Sequence, residues 1–481
     1  MIFSSIEFLL FFLPIFLIVY GLTPKRLKNV TLLSGSLIFY ALGEPKYLWL
    51  LLVSVVVNYF FGLHLERRAK KEDVVSREEI SEGEKSALGK SNDKTYRKKQ
   101  NKKQKRVLVV AVIYNVGILA LFKSGLTGKG LPLGISFYTF QVLSYLFDVY
   151  QGEEKRENSF FLLATYITMF PQLLSGPIVQ YREVRGRLQE REFSARGLQE
   201  GLKIFTMGLA SKVLLADRVG ILWQEVQVTG FESISTPLAW IAAIAYSMKI
   251  YFDFYGYSLM ASGVGRMLGF ELPENFRNPY MACSVRDFYR RWHMTLGRWF
   301  TRYVYIPLGG NRKGEFRTVC NLLAVWALTS VWHGSTANFL IWGMLLWLAI
   351  VIERQLMALG AGRLVEKGPG RILCHLYIWA YIPITWVCFA ITDMGQLQIY
   401  LGRMFHVFPG MAVNAQDWRT ALTNYGGLLA LGAFACTPAV RNLFRRLKDT
   451  WPGIILLAAL FWMCVWRLQV EGQNPFMYLL F

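Results

Sequence analysis

Two Trp-His pairs, Trp292-His293 and Trp332-His333, stand 40 residues apart in apolar or basic surroundings, in a chain with only five histidines. Placed on a helix at about 100° per residue, the stretch Arg286 to Arg302 puts Phe288, Tyr289, Trp292, Leu296, Trp299 and Phe300 on one half. Arg286, Asp287, Arg290, Arg291, Arg298 and Arg302 fall on the other half, with His293 at the boundary. His333 closes the apolar run Leu322 to Trp332 and is followed by Gly334, by the helix-capping types Ser335 and Thr336, and by a new apolar run from Phe339. This pattern predicts His333 at membrane depth beside a break between helices. A charged side chain in hydrocarbon costs on the order of 2.5 kcal/mol or more, so His333 is expected to be neutral and able to accept a proton, the state a general base needs. A neutral imidazole hydrogen-bonded between helices purely for packing satisfies the same physics.

The elements that position these residues are membrane helices. The chain of 481 residues is 54% hydrophobic and 15% aromatic, and its apolar runs reach the length of about 20 residues that a span needs. An all-α, polytopic helical membrane protein follows, read as one domain over residues 1–481 with roughly a dozen membrane segments. The net charge of +21 is read through the positive-inside rule, and nucleic-acid binding is the weaker reading. The first apolar run, Phe8 to Tyr20, lacks a positive n-region and a cleavage site and reads as an uncleaved span. Pro24 to Lys28 forms a first basic loop, and Glu66 to Arg106 a second, with fifteen Lys or Arg against eight Asp or Glu, a balance of +7. Three spans put both loops on one side, so the N-terminus is expected outside and residues 66–106 in a cytoplasmic, solvated insertion.

Further along, Lys203, Lys212, Asp217 and Arg218 punctuate an amphipathic segment that lies along the membrane or crosses it at an angle. Within the apolar run Leu238 to Met260, Lys249 and Asp253 stand at i and i+4, the spacing of a helical ion pair. They are expected to neutralise one another, a role in a polar path being the sharper alternative. Gly263-Val264-Gly265 with Gly269 is not a dinucleotide fingerprint, because the third Gly is one residue late and no βαβ context surrounds it. Six cysteines, Cys283, Cys320, Cys374, Cys388, Cys436 and Cys464, show no C-x-x-C or Cys/His ligand spacing, so neither a metal site nor a disulfide framework is expected. Nor is there a Walker or G-x-S-x-G motif.

The run Tyr251-Phe252-Asp253-Phe254-Tyr255-Gly256-Tyr257-Ser258, with Leu272-Pro273-Glu274-Asn275-Phe276, Asp287 to His293, Tyr305 to Arg312 and Trp332-His333-Gly334, closely resembles the membrane-bound O-acyltransferase family. Ser136 to Gln141, Phe170-Pro171-Gln172 and Phe476-Met477-Tyr478 are similar to its alginate O-acetyltransferase branch. The resemblance implies that family's fold, with transmembrane and re-entrant helices around a central catalytic channel in the plasma membrane. It implies His333 as the near-invariant catalytic histidine, His293 as a second active-site histidine, and Asn338, Trp332 and Asp253 as supporting residues. An acyl group, acetyl in this branch, would pass from a cytoplasmic thioester, acetyl-CoA or an acyl-carrier protein, through the channel to an exported polysaccharide, directly or through an extracytoplasmic partner. No permanently bound cofactor is implied. The residues agree, since acetyl transfer to a hydroxyl needs a base and hydrogen-bond donors for the oxyanion. Arg290, Arg291, Arg298 and Arg302 are candidates for the donor's phosphates, although membrane-surface anchoring suits them equally. Two alternatives stand beside this reading: D-alanyl transfer to teichoic acid within the same fold, and a polymer or small-molecule transporter.

Overall fold

A computed structural model of the chain describes residues 1–65, 87–126, 128, 130–360, 368–407, 414–472 and 476; for 87–101 only the backbone is described. The described elements are helices and the turns between them, with no strand among the described residues. Contacts divide the chain into two units, one of Met1–Leu17, Ser175–Pro177 and Glu192–Phe481, the other of Ile18–Leu174 and Ile178–Arg191. An N-terminal helical stretch, Glu7–Phe12 followed by α1 (Leu13–Leu22), is divided between them.

The second unit carries α2 (Lys28–Gly43), α3 (Leu48–His64), α4 (Ala87–Lys123), α5 (Ile135–Gln151), α6 (Phe160–Thr168), the short α7 (Phe170–Leu173) and α8 (Tyr181–Gln189). Apolar residues form its body, and two of the amides buried inside it pair with each other. Asn58 on α3 and Asn115 on α4 exchange amide hydrogen bonds at 3.0 and 2.7 Å, which satisfies groups that hydrocarbon could not. Met169 separates α6 from α7, where the Phe170 N–H donates to Ser36 Oγ at 3.2 Å. The basic insertion differs from expectation in part. Residues 66–86 lie outside the described residues, but Ala87 to Arg106 continues as the first half of α4, because Lys, Arg and Gln are good helix formers and the following apolar run propagates the helix.

In the larger unit come α9 (Ala195–Ala210), α10 (Asp217–Thr229), α11 (Thr236–Met267), α12 (Val285–Arg291), α13 (Met294–Phe300), α14 (Glu315–His333), α15 (Ala337–Ala358), α16 (Pro369–Ala390), α17 (Met394–Met404), α18 (Asp417–Ala435), α19 (Pro438–Leu447) and α20 (Trp451–Glu471). Helices α9 and α11 meet backbone to backbone. A Cβ on Gly201 would lie 2.5 Å from the Gly263 carbonyl oxygen, one on Gly208 2.6 Å from that of Gly256, and the reverse contacts are equally close. The two glycine pairs are seven residues apart on each helix, so they recur on one face. Gly263, with no nucleotide role, is a helix-crossing residue. Gly256 also makes room for Lys212, whose N and Cβ would lie 3.0 and 3.2 Å from an added methyl.

That closeness corrects the expected ion pair. Asp253 is paired with Lys212 at 3.1 Å, and Lys212 also holds Asp217 at 2.5 Å. Among the described residues no ion pair joins Asp253 to Lys249, whose stem instead covers Gly220. Lys212 reaches Asp253 because it sits on a wide, π-type turn, Ser211–Ala216, between α9 and α10, which turns its side chain toward α11. The i, i+4 spacing on α11 was the only partner visible along one helix, and a partner from the neighbouring helix outcompetes it.

Among the described residues five helices are long and apolar enough to cross a bilayer: Pro45–His64, Lys102–Lys123, Ala337–Ala358, Pro369–Ala390 and Trp451–Glu471; α18 and α19, bent by 76°, count as a sixth if taken as one broken span. The roughly dozen apolar segments of the sequence exceed this number because several fold as short or polar helices. Thus α6 has 9 residues, and the 32-residue α11 carries Lys249, Asp253 and a run of tyrosines.

Candidate active site

The segment expected to be one helix from Arg286 to Arg302 is two. α12 ends where the Trp292 N–H donates to Phe288 O at 2.8 Å, and His293 takes a left-handed conformation, φ 42° and ψ 53°, before α13 begins. A non-glycine residue there costs on the order of 1 kcal/mol or more. Backbone pairing to the Leu-Pro-Glu-Asn-Phe stretch offsets it: the Met294 N–H donates to Asn275 O and the Arg277 N–H to Arg291 O, both at 2.9 Å. The kink moves His293 off the edge of an amphipathic helix and into the protein, where it is 3% exposed.

Asn275 also governs the imidazole itself. Its Oδ1 accepts from the Thr295 backbone N–H at 3.3 Å and from Thr295 Oγ1 at 2.9 Å, while its Nδ2 donates to Ser258 Oγ at 3.1 Å. A backbone N–H can only donate, so the amide orientation is fixed. His293 Nδ1, 3.0 Å from the same Oδ1, must therefore carry the proton and donate it. The neutral ring then presents an unprotonated Nε2, which is buried with no hydrogen-bond partner among the described residues. Phe254 stands edge-on to the ring at 4.7 Å, and Phe476 lies behind Phe254 at 5.6 Å. The loop carrying His293 is outside the five candidate spans, and burial holds its pKa down, to about 3, so it is uncharged at neutral pH.

His333 is the last residue of α14, and the chain breaks at Gly334 as expected. A Cβ on Gly334 would collide with the Phe339 ring, so glycine is required for the turn into α15. The His333 ring is enclosed by Trp332 at 4.4 Å, Phe389 at 5.0 Å and Trp342 at 5.1 Å. Asn338 is fully buried and is not among the residues lining the cavity that His333 borders. Its Nδ2 donates to Cys388 O and Phe389 O at 3.1 Å and its Oδ1 accepts from Thr336 Oγ1 at 2.6 Å, so it ties the start of α15 to the end of α16.

Both histidines line a single cavity of about 440 Å³, together with Tyr289, Trp292, Trp326, Trp342 and the cations Arg286, Arg290 and Arg354. That size suits a small-molecule group rather than a polymer. Of the arginines expected to hold a donor, Arg290 alone lines it. Arg291 is paired with Asp287 at 3.0 Å, Arg302 lies over Tyr303, and Arg298 stands on an exposed face of α13. Asp253 and Trp332 are likewise outside the lining, the former engaged by Lys212 and the latter packed at a tilt against His333. Two cations escaped the sequence reading. Arg286 was seen only as part of a basic face, and Arg354, held by Glu315 through two hydrogen bonds of 2.5 and 2.6 Å, comes from the far end of α15 with no local signal. Glu353 beside it accepts the N–H groups of Val285 and Arg286 at 2.5 and 3.1 Å, which fixes the start of α12 at the cavity.

The model of the MBOAT, membrane-bound O-acyltransferase family, matches residues 153–391. "Probable alginate O-acetylase AlgI" of Pseudomonas putida is 30% identical, over 100% of this chain and 100% of its own. "Peptidoglycan O-acetyltransferase" of Helicobacter pylori is 32% identical, over 81% of this chain and 77% of its own. "Teichoic acid D-alanyltransferase" of Bacillus subtilis is 29% identical, over 44% of this chain and 56% of its own.

Proposed function

Because the chain belongs to the membrane-bound O-acyltransferase family, we propose that its two-histidine cavity is where an acetyl group leaves a thioester donor for a hydroxyl of an exported or cell-surface polysaccharide. The protein is a multi-pass membrane O-acetyltransferase; the donor, acceptor and direction are the proposed part. The observation that carries the reading is the convergence of His293 and His333 on one cavity with a cationic rim.

In the reaction the hydroxyl oxygen bonds to the acetyl carbon, the carbon–sulfur bond breaks, and the hydroxyl proton passes through an imidazole to the departing sulfur. His333, enclosed by Trp332, Trp342 and Phe389, takes the proton in the assignment the sequence suggests. A second assignment is favoured by the Asn275 contact. Holding an acyl oxyanion would need an N–H aimed into the cavity, whereas His293 offers a lone pair there and suits proton acceptance. Arg286, Arg290 and Arg354 fit the phosphates of acetyl-CoA or of a carrier's pantetheine arm. The donor then enters from the cytoplasm, with the N-terminus outside and the basic 66–106 segment inside, and hands the acetyl group to the polymer or to an extracytoplasmic partner.

The test is single-turnover acetyl transfer by the purified protein from acetyl-CoA, with polysaccharides, peptidoglycan fragments and D-alanyl-charged carrier protein supplied in turn. His333→Ala should lower transfer by about 10² to 10⁴ in a protein that still folds. Thioester that is carried across unbroken would support a transporter, and turnover only with the D-alanyl carrier would support teichoic acid modification.

A further inference from the structure

We propose that Asn275 is a positioning residue of the transfer reaction. By holding His293, which lines the cavity, with its proton on Nδ1 it leaves Nε2 as an acceptor, so the group His293 meets is the acceptor's hydroxyl and not the acyl oxygen. This rests on the O-acetyl-transfer reading above and adds to it the side of the substrate that His293 recognises.

Every contact in the set points the same way. The acceptor capacity of Asn275 Oδ1 is used by two donors from Thr295 and one from His293, and its own N–H group is spent on Ser258. The amide cannot flip without setting its N–H₂ against the Thr295 N–H. The His293 backbone is held by the same residue, since Asn275 O accepts the next N–H, that of Met294. Phe254 blocks one edge of the ring. The imidazole is thus fixed in both orientation and tautomer before any substrate arrives, and a lone pair buried without a partner is costly unless a hydroxyl donor completes it.

The tautomer can be read without any activity. Five histidines, His64, His293, His333, His375 and His406, give a resolvable nitrogen spectrum of the ¹⁵N-histidine-labelled full chain in detergent, with His293 assigned by its loss in His293→Gln. The expected signature is a neutral ring protonated at Nδ1. In Asn275→Leu the ring should pass wholly or partly to the Nε2–H form, with transfer down by about 10- to 100-fold, and at most about 10⁴-fold, while KM for the donor is unchanged. Asn275→Asp keeps an acceptor at Nδ1, so the Nδ1–H form and most of the activity should persist. Its added carboxylate stabilises the imidazolium, so the acid limb of the rate profile moves to higher pH. The other titratable groups lining the cavity, His333, Tyr289, Tyr305, Arg286, Arg290 and Arg354, are common to all variants and cannot produce that difference. An Nε2–H or charged His293 in the unmodified protein overturns the proposal, as does full transfer in Asn275→Leu with its tautomer changed. If Asn275→Leu does not fold, the Asp variant decides, an unmoved acid limb counting against the proposal. Absence of acetyl transfer in every protein, with the Nδ1–H signature intact, would instead refute the functional reading and leave the tautomer assignment standing.

Discussion

Lys212 is the sharpest place to test the packing of the larger unit. It is 3% exposed at its side chain and bridges Asp217 and Asp253, the latter 4% exposed. Two unit charges attract by about 4 kcal/mol at 4 Å in an effective dielectric of about 20, and at the 3.1 Å of the Lys212–Asp253 pair the same law gives about 5 kcal/mol before desolvation. Desolvation offsets most of that, leaving an expected coupling of about 1–3 kcal/mol. Lys212→Met alone should cost more, about 3–5 kcal/mol, because two buried carboxylates then lose the cation that contacts both of them. The measurement is a pair of double-mutant cycles, Lys212→Met with Asp253→Asn and Lys249→Met with Asp253→Asn. Unfolding of the detergent-solubilised full chain is followed by a thiol dye that reacts as buried Cys388, Cys436 and Cys464 become exposed. The Lys212 cycle should show strong coupling and the Lys249 cycle little. If Lys249 couples to Asp253 as strongly as Lys212 does, or Lys212→Met is no worse than Lys249→Met, the ion-pair assignment is wrong.

Gly256→Ala sets a methyl 2.6 Å from the Gly208 carbonyl oxygen and 3.0 Å from Lys212 N, so it should cost about 1–3 kcal/mol in the same unfolding assay. Gly427→Ala, with open space at its Cβ, should change little and serves as the control. Because burial holds His293 near a pKa of about 3, its neutral form persists down to that pH, and transfer measured from pH 8 to pH 5 should show no inflection from His293; an acid limb there that disappears in His293→Gln would refute this. Charge reversal of two rim arginines, Arg286→Glu with Arg290→Glu, should raise KM for a phosphate-bearing donor more than tenfold, with less effect on a short, uncharged acetyl thioester; equal effects on both donors would remove the phosphate-binding role. A cysteine introduced at Ser91 should react with an impermeant reagent only from the cytoplasmic side, and reaction from outside alone would invert the topology.

The motifs were legible because each function needs a particular residue type. His293, His333 and the break at Gly334 could be named from sequence, and the two histidines line the cavity. What escaped notice came from distance or from backbone geometry. Arg354 reaches the site from α15, and Lys212 reaches Asp253 from a different helix, where no periodicity within α11 could reveal it. The kink at His293 was invisible to a helical wheel, since the twelve apolar and charged positions around it fit a continuous helix; only pairing with Asn275 and Arg277 makes the break favourable. Asn338, adjacent in sequence to the histidine motif, proved to be a tie between helices. Tyr478, part of the C-terminal resemblance, lies outside the described residues.

The glycine seam between α9 and α11 also bears on how the protein is made. If α11 passes from the insertion machinery into lipid, a charge such as Lys249 or Asp253 at its centre costs about 2.5–3.5 kcal/mol on the translocon scale. The glycines of the seam have no side-chain rotamers to lose when it closes, and the seam relies on close backbone contact, which works where apolar surroundings supply no hydrophobic drive. α9 and its wide turn are synthesised first, so they stand ready to receive α11 along two glycine contacts, and the closure that aligns those contacts brings Lys212 to Asp253. On this account biogenesis of α11 is a two-helix event, with the earlier helix serving as the polar host that the bilayer does not provide.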